Sequence, residues 1–290
     1  MAVKQSKIVP IEYCGRNRNI DVRTEIYNSA AEVAKDGKNR PILIKGYDLR
    51  RHGITKEWNG VGSYEEALEL LETGYQPVVE ALSESMKINS GENSRFTFNN
   101  DVVGFIPVIP LVLSGVPKCM VNIKMTPMKC KVIDIYYDMT ANCTYSPNDF
   151  IKAGKIVLST IMGLEKQGYK FNLYGIQSYV GTEYTADLLC VKIKSSDRPL
   201  DLKRMSFPLT HPAFFRVIGF DWQGKSPITR DIGGGRGQAL SQRYDTKSAE
   251  KIIKTMYGNN AFYLSCTDLI NHNYDKDSLK EALTNAKVSE

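Results

Sequence analysis

Apolar residues recur along this chain in two rhythms, one helical and one alternating. Around residues 58–74 the rhythm is helical. Trp58-Asn59-Gly60 leads to Ser63-x-x-Glu66, a capping box, followed by Ala67, Leu68, Leu70 and Leu71, with Gly74 as the stop. A second short helix is expected over 78–86. Residues 89–100 are polar and read as a loop. From 103 to 117 the chain is apolar but broken by Pro107, Pro110 and two glycines. That predicts buried irregular chain or a short strand, and excludes a central strand because proline lacks the ladder N–H.

The texture changes near Lys129. Residues 131–137 are β-branched and aromatic, with Ile133, Ile135 and Tyr137 on one face of a strand. A polar stretch follows, then a helix from Pro147, where proline suits the first turn. Phe150, Gly154, Val157, Ile161 and Leu164 give that helix one buried stripe, and Gly168 ends it. Residues 171–176 and 188–193 read as strands, 248–257 as a helix stopped by Gly258, 261–265 as a strand, and 278–286 as the last helix. Strands alternating with helices of this length predict an α/β fold with a mostly parallel sheet flanked by helices. An N-terminal α+β region, 1–125, is expected to pack on this core of 126–290 as one continuous fold with a soft boundary.

Composition bounds the function without choosing it. With 42% hydrophobic and 24% charged residues over 290 positions, the chain is of ordinary globular type. Its longest apolar run is too short to span a bilayer, and residues 1–8 lack the features of a signal peptide, so a cytoplasmic protein without membrane contact is expected. The six cysteines form no C-x-x-C pair, which argues against a zinc ribbon. Cys130, Cys190 and Cys266 lie in apolar stretches and are expected as small buried hydrophobes. A net charge of +6 permits nucleic-acid contact without demanding it, because 38 basic residues are scattered among 32 acids. The densest clusters, Arg50–Arg51 and 192–203, do not interleave with aromatics and read as solvated surface.

Chemistry in such sheets lies beyond the carboxyl ends of the strands. Asp138, in Asp138-Met139-Thr140-Ala141-Asn142, ends the first core strand, and Asp268 follows the last. With the order of elements, these strings resemble the von Willebrand factor A family, which carries Asp-x-Ser-x-Ser after its first strand, then a long helix and a strand, and later a Thr and an Asp. The resemblance covers roughly residues 125–290. It implies a divalent site for Mg²⁺ or Mn²⁺ at Asp138, Thr140, Asn142, Thr182 (or Thr185) and Asp268, a donor set suited to a hard cation. Asn142 replaces the second Ser and Leu269 the Gly after the late Asp, which puts direct coordination in doubt. The competing reading is that Asp138 and Thr140 cap a helix and close a turn.

The whole chain is also similar to a group of proteins encoded by bacteriophages and mobile elements. The residues concerned are Trp58-Asn59-Gly60 with 63–74, Leu113-Ser114-Gly115-Val116-Pro117, and Phe207-Pro208-Leu209-Thr210-His211-Pro212 followed by Phe214-Phe215-Arg216. That likeness implies a mobile-element origin and brings no activity.

Other candidates weigh less. Gly233-Gly234-Gly235-Arg236-Gly237 has no Lys-Ser/Thr after it and no strand feeding it, so it reads as a surface flap that can touch a partner rather than a phosphate loop. His52 and His272 are expected in solvated turns, and His211 as a cap. Asp134, in mid-strand, needs a lysine or a polar network. There is no G-x-S-x-G elbow and no evident Cys–His pair. The function expected first is therefore a non-enzymatic protein-interaction module. Its partner would be a phage, virion or host protein, met at Asp138, Thr140, Asn142, Thr182 and Asp268 with the glycine flap as rim. Two alternatives remain. One is a Mg²⁺-dependent DNA-processing accessory or nuclease-like enzyme whose Lys192, Lys194, Arg198, Lys203 and Arg204 track the backbone. The other is a structural virion protein whose proline-broken N-terminal half serves assembly.

Overall fold

A computed structural model describes residues 2–44, 53–88, 96–125, 132–181, 184–229, 237–271 and 275–286. The chain opens on a long antiparallel hairpin, β1 (Val3–Tyr13) and β2 (Arg16–Tyr27), in register from Val3↔Ile26 to Tyr13↔Arg16. Its turn residues Cys14 and Gly15 have φ of 50° and 69°, the left-handed pair that matches strand twist in a two-residue hairpin. Then come α1 (Ala30–Asn39), α2 (Lys56–Asn59), α3 (Tyr64–Thr73) and α4 (Gln76–Ile88). Ser63 caps α3 by accepting from the Glu66 amide, Glu66 reaches back to the Gly62 amide, and Gly74 (φ 78°) stops the helix, as its capping box predicts.

An arm of β3 (Phe96–Asp101), β4 (Ile106–Pro107), α5 (Ile109–Leu113) and β5 (Met120–Met125) follows. The core then assembles from β6 (Val132–Asp138), α6 (Pro147–Lys166), β7 (Lys170–Val180), β8 (Thr185–Lys194) and α7 (Leu202–Thr210). A π-helical turn (Phe214–Gly219) leads into α8 (Phe220–Lys225), α9 (Leu240–Tyr244), α10 (Thr246–Tyr257), β9 (Ala261–Ser265), α11 (Cys266–Ile270) and α12 (Lys276–Asn285).

The main sheet has six strands in the order β1-β2-β8-β7-β6-β9. The β2–β8, β6–β7 and β6–β9 pairs are parallel, while β1–β2 and β7–β8 are antiparallel. The expected α/β class and mostly parallel sheet are therefore present. The hairpin of residues 3–27, however, belongs to the same sheet as the strands of the C-terminal half. Pro10 is tolerated because β1 is an edge.

Alternation along the strands serves two cores. Ile133, Ile135 and Tyr137 face a large cluster with α6, α7, the π-turn and residues from α3, α4, α11 and α12. Tyr136, Ile176 and Cys190 face a second cluster, with β1, β2, α9 and α10. On that side Tyr136 stacks between Tyr174 and Tyr257 at 4.7 and 4.5 Å.

One sequence expectation fails in the arm and another is met in part, since the short strand expected within 103–117 forms as β4. Residues 96–100 of the expected loop fall in β3, and the burial expected over 103–117 is replaced by exposure to solvent. A three-stranded sheet, β3-β5-β4, supplies its backbone partners. Among the described residues neither core takes a side chain from the arm.

Arg216, in the π-turn, is completely buried. Its guanidinium donates to the carbonyls of Trp58 (2.5 Å), Tyr145 (2.7 Å) and Asn142 (3.3 Å), and lies over the rings of Trp58 and Phe150 at 4.4 and 4.7 Å. No carboxylate pairs with it among the described residues. Burial lowers its pKa to about 10, so it stays charged at neutral pH. Replacing it by methionine keeps the bulk and removes every donor. An orphaned buried acceptor costs about 1–3 kcal/mol, so Arg216→Met is expected to lower the urea midpoint by an amount equivalent to about 3 kcal/mol or more. A loss below about 1 kcal/mol would mean that charge burial offsets those bonds.

Candidate functional site

β6 lies between β7 and β9, and all three run the same way. The chain leaves β6 for β7 on one side and returns as β9 on the other. The carboxyl end of β6 is therefore a switch point, the place where open α/β sheets form their crevices. Asp138 occupies it, in register with Ile176 and Ser265.

The Asp138 carboxylate is fully buried and fully hydrogen-bonded. Oδ1 accepts from the Thr140 amide at 3.0 Å. Oδ2 accepts from Ser178 Oγ (3.0 Å), Tyr263 Oη (3.0 Å) and the Leu240 amide (3.1 Å). Thr140 Oγ1 accepts from the Ser178 amide at 2.8 Å, and Ser178 Oγ lies 3.2 Å from the Gln238 carbonyl. Burial pushes the Asp138 pKa up, and the donors Thr140, Leu240 and Tyr263 pull part of it back, leaving it above the usual carboxylate value.

Of the residues expected to share a metal, the structure joins Asp138 and Thr140. Asn142 turns away: its Oδ1 accepts from the Thr144 amide at 2.9 Å and from the Thr144 hydroxyl, closing a turn. Asp268 is half-buried in the first turn of α11. Thr185 begins β8. Thr182 and the flap residues Gly233, Gly234, Gly235 and Arg236 lie outside the described residues. Gly237 is buried, not at the surface. It has φ +91°, and a Cβ there would stand 2.5 Å from the Ala141 carbonyl. Only glycine permits this approach, which seats residues 237–240 over the end of β6.

These groups do not fit a hydrated divalent ion. Amide and hydroxyl protons already point at the carboxylate's lone pairs, whereas a hard cation needs those lone pairs free. Among the described residues no group of three or more His, Cys, Asp or Glu is placed to hold a metal. The arrangement instead makes Asp138 an internal clamp joining β6, β7, β9 and the N-terminus of α9.

The basic residues proposed to share a phosphate with Asp138 lie elsewhere. β8 runs against β7 and β6, so Lys192 and Lys194, opposite Tyr174 and Leu173, lie towards the amino ends of β6 and β7, while Arg198 follows β8 and Lys203 and Arg204 open α7. Lys194 is buried against Glu165 at 2.7 Å.

Smaller expectations are met in part. His211 Nδ1 accepts from the Ala213 amide at 3.2 Å, a capping contact, and burial takes its pKa down to about 4. Asp134 accepts from Asn172 at 2.7 Å, a polar network rather than a lysine. Cys190 and Cys266 are buried, while Cys130, His52 and His272 lie outside the described residues. No helix among the described residues is long and apolar enough to cross a membrane. Ser178, Tyr263 and Leu240 escaped the sequence reading because a strand serine, a strand tyrosine and a backbone amide carry no motif.

Two measurements follow from this geometry. A raised folded pKa means that Asp138 contributes fully below its unfolded value of about 3.9, and loses that contribution as pH rises through the folded value. The stability gap between wild type and Asp138→Asn should therefore narrow from about pH 4 towards neutrality; a widening gap in urea melts would reverse the sign. Saturated lone pairs also predict that EDTA, Mg²⁺ and Mn²⁺ leave the melting temperature unchanged. A metal-dependent rise that disappears in Asp138→Ala would show that residues 237–240 lift to admit an ion.

No curated protein and no solved structure matches the chain. The family described as Domain of unknown function (DUF7192) matches residues 11–287. That span runs from within β1 to beyond α12, so the chain belongs to this family.

Proposed function

We propose that this protein is a non-enzymatic protein-interaction module whose contact element is the arm over residues 96–125. The observation that carries this reading is the exposure of the arm's apolar residues. Val102, Val103, Phe105, Ile106, Ile109 and Leu113 are all exposed, Val103 at 74% and Leu113 at 83%. No charged residue occurs from 102 to 117. A contiguous apolar stretch left in water marks an interaction surface, because covering it releases free energy in proportion to its area. β3 is also an edge strand of its small sheet, which offers backbone groups to an incoming strand.

The likeness to von Willebrand factor A domains supports the same class of function. It rests on Asp138-x-Thr140 at the switch point, followed by the 20-residue α6 and by β7. In the mobile-element setting that the resemblance implies, the partner is a phage, virion or host protein. A second copy of this chain is the first partner to test. Two copies of a +6 chain repel one another, and contact through the uncharged stretch 102–117 meets that repulsion least.

Light scattering coupled to gel filtration tests this. Wild type is expected to associate as its concentration rises, and Val103→Asp/Leu113→Asp to stay monomeric with an unchanged melting temperature. Both substitutions fall on exposed positions, so folding should survive. A monomeric wild type that also binds no more of an apolar dye than the double variant would overturn the arm as the contact element.

A further inference from the structure

A cavity of about 1020 Å³ opens at the end of the sheet opposite Asp138. Its walls come from the carboxyl ends of the parallel neighbours β2 and β8, α1 from Ala30 to Lys38, the loop 195–201, α3 and α7. Six basic side chains line it against two acids, Glu72 and Asp201. Two of the six are already engaged: Lys194 with Glu165 at 2.7 Å, and Arg204 with Asp201 at 3.4 Å. Lys35, Lys38, Lys192 and Arg198 make no ion pair among the described residues. They come from three separate elements: α1, the end of β8 and the following loop.

Like charges gathered on one concave surface repel each other and focus a positive potential into it. Nothing in the folding of this region requires that arrangement, since the buried lysine beside it has its own carboxylate. Ala30 and Ala31, the first residues of α1, also lie on the wall, adding the positive end of a ten-residue helix. The floor is apolar, with Ala34, Leu68, Leu71, Ile193 and Met205. The space is too large for a lone orthophosphate and is of the size that drug-sized ligands occupy.

We infer that this cavity binds a phosphorylated small molecule of nucleotide size. Its phosphates lie among Lys35, Lys38, Lys192 and Arg198, and its uncharged body lies on the apolar floor. Arg198 offers a paired donor fork, and the lysines act as point charges around it. The placement agrees with the rule that open parallel strands present ligands beyond their carboxyl ends. Here it applies to the β2–β8 pair, which runs opposite to β6.

The test is calorimetric titration of the full chain at low salt with ATP, with inorganic pyrophosphate and with adenosine. ATP is expected to bind more tightly than pyrophosphate, and adenosine only weakly. Lys192→Ala/Arg198→Ala should weaken ATP at least about tenfold, the consequence of losing one or two charge-assisted contacts. Leu71→Trp narrows the floor without changing charge, and should weaken ATP while leaving pyrophosphate unaffected. The melting temperature of each variant checks that it is folded. Absence of heat with both ATP and pyrophosphate overturns the inference. So does ATP binding that neither variant alters, or adenosine binding as tightly as ATP.

Discussion

A guanidinium in an apolar interior must find acceptors or lose its proton, and Arg216 finds them on the backbone. Three carbonyls converge on it, from the end of α2 and from the loop between β6 and α6. Carbonyls are not free to move to a ligand as carboxylates on long side chains are. The segments carrying them must be held in place by the rest of the chain, and Arg216 in turn fixes the path of each. Through Trp58 it ties the N-terminal helices to the core. Through Asn142 and Tyr145 it fixes the loop whose Ala141 carbonyl meets Gly237. The seat of residues 237–240 over the sheet, and with it the closure around Asp138, follows from where that one charge is satisfied.

The reversal of strand direction between β7 and β8 gives the sheet two different carboxyl ends. At the β6 end the polar groups are paired inward: one carboxylate receives protons from two neighbouring strands, a backbone amide of its own loop and the start of α9. At the β2–β8 end several cations have no ion-pair partner among the described residues, around an open cavity. A closed network stabilises; an open set of like charges does not, and is retained where something of opposite charge visits. The same topology that creates a switch point therefore assigns rigidity to one end and recognition to the other.

Much of the core was legible because its periodicities are local. The Phe150–Leu164 stripe, the Ser63 box and the alternation in 131–137 each name an element without help from distant residues. The β1–β2 hairpin was missed although Cys14-Gly15 joins two alternating stretches. Lysines, glutamines and Pro10 dilute the apolar signal on an edge strand, and only pairing with β8 buries β2 on both faces. Asp138 and Thr140 were found by their position after a strand, a local cue. Their partners Ser178, Tyr263 and Leu240 lie 38 to 125 residues away, and their meeting depends on strand order, which no local pattern encodes. The cations of the basic cavity were read as a surface run, because sequence shows that Lys192 and Arg198 are close but not that α1 curves the surface around them.

The arm shows why apolarity alone does not predict burial. Residues 102–117 have the composition of a core, and their prolines and glycines limit them to a two-residue strand and a five-residue helix. Their N–H and C=O groups find partners in the small sheet and in the short helix, away from both cores. The side chains then remain in water, with their transfer free energy unrealised in the single chain. On a molecule whose net charge is positive, this separates two contributions to association by location. Long-range attraction or repulsion is set mainly by the charged body, and short-range desolvation by the uncharged stretch 102–117 of the arm. In the proposed interaction, steering by charge and retention by apolar contact would thereby be borne by different parts of the chain, so that either can change by mutation without disturbing the other.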